Sequence, residues 1–127
     1  MQFLPSEEEL DLIRDFILLP KMMTIVEKSR EEIERSGHSL KRLYLAAAEV
    51  LQERILRDLT AVRKELKTRG IKIWEDEPCP GGTEFRYKYS FRGYVHEFSI
   101  MRPVVKAQIS VRFGRYIARL FPSASGT

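Results

Sequence analysis

The sequence predicts an α+β fold: three N-terminal helices, a three-stranded antiparallel meander, and a C-terminal helix packed on the sheet. Three observations carry this prediction. Apolar residues recur every three or four positions up to Leu66, the period shortens to two from Ile71, and helical spacing returns after Pro103. The 127 residues suit one domain over 1–121 followed by a small polar tail, 122–127. At 43% hydrophobic and 31% charged, the chain has the composition of a globular protein that builds its own core.

Ser6 followed by Glu9 is a capping box, in which each side chain satisfies a backbone N–H of the other residue. The helix it opens carries Leu10, Ile13, Phe16 and Ile17. Proline lacks an N–H and clashes with the carbonyl four residues back, so a break or sharp kink is expected at Pro20. A second helix then presents Met22, Ile25, Val26, Ser29 and Ile33, with Gly37 as its expected left-handed terminator.

The third helix is the longest, about residues 40–69, with Ser39 as its expected N-cap and Gly70 as its stop. Its stripe runs through Leu40, Tyr44, Ala47, Ala48, Leu51, Ile55, Leu59, Val62 and Leu66. Leu43 and Val50 widen it on one flank, Leu45 and Leu56 on the other. At about 100° per residue the apolar arc over the first two-thirds spans roughly 240°. A helix apolar over so wide an arc calls for cover from several sides, which makes Leu43, Leu45, Val50 and Leu56 candidate oligomer contacts.

Ile71 and Ile73 begin a strand that turns Trp74 to its other face, and Glu75 to Gly82 is proline- and glycine-rich turn sequence. Then Phe85, Tyr87, Tyr89 and Phe91 alternate with Glu84, Arg86, Lys88 and Ser90. Arg92-Gly93 supplies a tight turn, and Tyr94, His96, Phe98 and Ile100 alternate with Val95, Glu97 and Ser99 on the way back. Two such runs joined by a glycine turn form an antiparallel hairpin with one aromatic face. Pro103 suits the first turn of the last helix, whose stripe is Val105, Ile109, Phe113, Tyr116, Ile117 and Leu120, and Pro122 ends it.

Charge is uneven along the chain. Residues 1–36 hold nine acids against five bases, while residues 84–127 hold eight bases against two acids. A basic half can attract nucleic acid, acidic lipid or an acidic protein, and it can equally be a solvated face. Arg112, Arg115 and Arg119 share one side of the last helix and, with Arg86, Lys88 and Arg92, are candidate anion or nucleic-acid contacts. Against this, alternation puts the hairpin aromatics on the face opposite Arg86 and Lys88. A stacking platform needs exposed aromatics beside its cations, so core packing explains those aromatics better.

Catalytic and metal chemistry find no support. Cys79 is the one cysteine, beside Glu75, Asp76 and Glu77, which disfavour a thiolate; an incidental cysteine is the simpler reading. His38 and His96 are far apart and give no ligand spacing, and Gly81-Gly82-Thr83 lacks the lysine and spacing of a phosphate loop. The acids Glu31, Glu32 and Glu34 interleave with Arg30 and Arg35 as a solvated helical face would. No cofactor and no small-molecule substrate are expected. The acidic start MQFLPSEEEL is unlike a secretory signal, and no apolar run approaches the roughly 20 residues of a membrane span. Cytoplasmic residence is the expectation.

The runs LPKMMTIVEKSREEIERS, LKRLYLAAAE and DLTAVRKELKTRGIKI resemble the small uncharacterised YhjD-like proteins of Bacillus-type spore-forming bacteria, best over residues 5–77. The shared motifs are structural: Leu19-Pro20, the helix end from Asp58 to Gly70, and the strand at Ile71. The resemblance implies a bacterial cytoplasmic protein and carries over no functional residue. Two functions follow as expectations. One is a non-enzymatic binding or scaffold protein, self-associating through the long helix or holding a protein partner. The other is a nucleic-acid-binding regulator with the winged-helix order of three helices, a hairpin wing and a closing helix.

Overall fold

The computed structural model describes residues 4–77 and 81–120. Its elements run α1 (Glu7–Arg35), α2 (Lys41–Thr68), β1 (Lys72–Glu75), β2 (Glu84–Phe91), β3 (Tyr94–Met101) and α3 (Arg102–Leu120). They fall into two compact units, the helical pair up to Ile71 and the sheet with its helix from Lys72 onward. The class is α+β as expected, but two helices precede the sheet, not three.

The helical unit opens as the capping box predicts. Ser6 N–H donates to Glu9 Oε1 at 2.9 Å, and Glu9 N–H donates to Ser6 Oγ at 3.2 Å. Pro20 does not divide the helix: α1 continues through it for 29 residues. The apolar stripe explains why. Leu18, Met22 and Val26 lie at successive i, i+4 positions across the proline and are all buried. Burying side chains of this size contributes about 1.5–3 kcal/mol each, which offsets the roughly 3 kcal/mol cost of a mid-helix proline. The helix also ends differently from expectation. Gly37 is not left-handed; Ser36 caps α1 in an extended conformation, with its N–H and its hydroxyl both donating to Ile33 O.

α2 packs along α1. Its N-cap is Leu40, not Ser39, and no side chain caps it. His38 organises the entry instead: its Nδ1 accepts from Leu40 N–H at 3.1 Å, and its ring lies 5.1 Å from that of Tyr44. The far end follows expectation. Gly70 takes φ +70°, Gly70 N–H donates to Lys67 O, and Ile71 N–H donates to Leu66 O. This paired closure is the Schellman arrangement, which satisfies two of the carbonyls a helix leaves open. Arg69 then ties the two helices together, reaching Glu65 at 2.8 Å, Glu8 at 3.0 Å and Glu9 at 3.7 Å. These carboxylates raise its pKa above the ordinary arginine value, the Glu65 hydrogen bond most of all.

Burial in this unit is graded. Ile13, Ile17, Leu18, Leu19, Met22 and Val26 of α1 and Ile55, Leu59, Val62 and Leu66 of α2 form its core. Between Glu27 and Arg54 no residue is buried. The helical pair has a packed base and a bare loop end.

The second unit holds the sheet, in the order β1-β2-β3, antiparallel throughout. Register places Phe85 opposite Ile100, Tyr87 opposite Phe98, Tyr89 opposite His96 and Phe91 opposite Tyr94. The aromatic residues therefore share a face, with Tyr87, Tyr89, Phe91 and Ile100 buried. Trp74 pairs with Lys88 on the other face and is exposed. The turn between β2 and β3 has positive φ at both Arg92 (51°) and Gly93 (83°), the primed geometry whose twist matches a two-residue hairpin. α3 packs back against β3. It buries Val105, Ile109 and Tyr116, whereas Ile117, expected in that stripe, is exposed. Cys79 and the tail after Leu120 lie outside the described residues.

Candidate functional site

The two sets of residues singled out in the sequence lie in different units. Of the apolar set, Leu43 is 60% exposed, Leu56 48% and Val50 45%, while Leu45 is half-buried. All four sit on α2, and three of them on its unburied first half. Leu40 and Tyr44 are exposed beside them. At 100° per residue Leu40, Leu43, Ala47 and Val50 form one seam, because their spacings of three, four and three keep them on a single side. That seam is rotated about 110° from the buried row Ile55, Leu59, Val62 and Leu66. Leu45 and Leu56 lie on the opposite flank. The sequence found these residues from the width of the apolar arc alone, since one neighbouring helix covers only one side of another.

The basic set is less uniform than its spacing implied. Arg86 Nε lies 2.9 Å from Glu84 Oε1, and Lys88 Nζ lies 3.8 Å from Asp76 Oδ1. Arg92 stands over the Phe91 ring at 5.1 Å, and Arg119 over Tyr116 at 5.9 Å. In α3, Arg115 and Arg119 are exposed, but Arg112 is half-buried next to the stripe that holds Ile109 and Tyr116. Arg102, not singled out in the sequence, stacks over Phe85 at 4.2 Å and donates to Gly82 O. Two of the six candidate cations thus have an acid beside them, and two more lie over rings.

His96 stacks on its cross-strand partner Tyr89 with centroids 5.1 Å apart and planes 21° from parallel. Its Nε2 is buried and has no hydrogen-bond partner among the described residues. Among those residues no group of three or more histidine, cysteine or carboxylate side chains is placed to hold a metal ion. No helix among the described residues is long and apolar enough to cross a membrane.

The geometry defines an α+β protein of a two-helix hairpin and a three-stranded meander closed by a helix, with exposed apolar residues on α2, β3 and α3. Residues 4–121 match the family model described as YhjD protein, and the chain belongs to that family. It is 32% identical over 112 residues to the uncharacterized protein YhjD of Bacillus subtilis (strain 168), covering 88% of this chain and 92% of that protein. No solved structure gives a significant match.

Proposed function

We propose that this protein is a non-enzymatic binding or scaffold protein of the bacterial cytoplasm that self-associates through the first half of α2. One observation carries the reading: no residue from Glu27 to Arg54 is buried, yet Leu40, Leu43 and Val50 on one side of that stretch are exposed. Isolated surface leucines are ordinary, but apolar side chains gathered into one seam mark an interaction surface. A seam at heptad spacing is self-complementary, so a second copy of α2 supplies the matching surface without a further component.

Sedimentation at micromolar concentration tests the reading. The expected result is an assembly that Leu43→Lys with Val50→Lys reduces in size by removing the α2 contact, while the helical circular dichroism is unchanged. A wild-type chain that stays monomeric and captures no protein partner would sink it.

The nucleic-acid reading is weaker. Its winged-helix order required three helices before the wing, and two are present. It now rests on Arg112, Arg115 and Arg119, and a mobility shift with a steep salt slope is the result that would revive it.

A further inference from the structure

The third strand of the sheet is an outer strand, and hydrogen-bond parity shows which of its groups face away from β2. Arg102 N–H donates to Thr83 O, continuing the pairing of β3 with β2 past its last residue. In an antiparallel pair the bonded positions alternate, so Tyr94, His96, Phe98 and Ile100 turn their backbone toward β2. Val95, Glu97, Ser99 and Met101 turn theirs outward. β3 pairs with β2 alone, and outside the helices no backbone group of another described residue bonds to Val95, Glu97 or Ser99.

Open edges are ordinarily guarded by proline, charged side chains, a bulge or short length. β1, the other outer strand, has four residues. β3 has eight, runs in unbroken register, contains neither proline nor lysine, carries the single charge Glu97, and leaves Val95 and Met101 exposed. From these observations we infer that β3 is a docking strand for β3 of a second copy, joined antiparallel with Val95 opposite Met101 and Glu97 opposite Ser99. The inference is separate from the α2 seam and stands if that seam fails.

Self-pairing about a two-fold axis fixes the register. Centring it on Phe98 sets the exposed Val95 and Met101 against each other and gives Glu97 an uncharged neighbour in Ser99. Centring it on Glu97 opposes two like charges, which destabilises a cross-strand pair. Centring it on Ser99 sets Val95 opposite Pro103, which has no N–H to donate. The outward N–H and C=O groups of Val95, Glu97 and Ser99 are then all paired, and the two sheets become one of six strands.

The test uses the full chain carrying Leu43→Lys and Val50→Lys, so that association through α2 cannot supply the result. Sedimentation is followed over concentration, and amide hydrogen exchange is read at Val95, Glu97, Ser99 and Met101. The expected outcome is a dimer in which these four amides slow as the dimer fills. Adding Ser99→Pro, which removes one outward N–H, makes the chain monomeric. Val95→Lys with Met101→Lys, which leaves the backbone intact, weakens association by about tenfold or more, as lost cross-strand pairs should. A monomer at all concentrations, or a dimer whose four amides exchange at the monomer rate, overturns the inference.

Discussion

Tyr89 and His96 show how much one pair of side chains carries in a small sheet. They face each other across β2 and β3, stacked on the buried face. Burial makes the Tyr89 phenol harder to ionise, raising its pKa above the ordinary value of 10.0. Above that pH the unfolded chain releases this proton before the folded chain does, so stability falls as pH rises further; below it the contribution is constant. Tyr89→Phe should therefore flatten the alkaline decline. Urea midpoints between pH 8 and 11 for the two proteins check this, and equal slopes would reject it. The rest of the chain is the same in both, so the comparison isolates residue 89. The strand positions of this pair were legible from alternation. The role of His38 was not: its hydrogen bond to Leu40 depends on the loop conformation between two helices, which no spacing reveals.

At the scale of elements, α1 is where a strong local rule lost to packing. Proline in a helix interior costs about 3 kcal/mol, yet α1 runs through Pro20 because an unbroken helix keeps Leu18, Met22 and Val26 on one buried row. Local propensity sets a penalty, and only the neighbouring helix decides whether the penalty prevails. Pro20→Ala should restore an N–H opposite Phe16 O and relieve the ring clash. Allowing for the stiffer unfolded chain that proline provides, the gain is about 1–3 kcal/mol. A urea midpoint that rises at unchanged slope confirms it, and a fall would show that the half-buried ring contributes packing of its own. The same contrast separates the helix ends. Gly70 behaved as glycine after a helix does, with positive φ, because the closure from Gly70 and Ile71 N–H onto the last carbonyls of α2 needs a left-handed residue there. Gly37 did not, because Ser36 had already capped Ile33 O. The hairpin was read residue for residue, since Arg92-Gly93 permits one turn geometry and period two permits one facing. The open edge of β3 followed from strand order and bond parity, which alternation alone does not contain.

For the molecule as a whole, the charge asymmetry legible in the sequence resolves in part into local partners. The acidic start of α1 is met by Arg69 within its own unit, and Arg86 and Lys88 are met by Glu84 and Asp76 within theirs. Sequence distance hid the first of these, because Arg69 lies 61 residues from Glu8. The exposure of Leu43, Val50 and Leu56, by contrast, was legible, since an arc wider than one neighbour must leave something uncovered. The graded burial of the helical pair has a kinetic consequence. Segments with few buried contacts open locally at low free energy while the packed remainder stays closed. A protease reads that difference as a sequence of cuts. Trypsin in dilute solution should nick the chain first at Arg35 and Arg42, and only later at Arg57, Arg63 and Lys64 along the packed base. Early cuts in the base would mean that the hairpin opens as one piece; early cuts at the loop end would leave two fragments still held together by the core around Ile13 and Ile55.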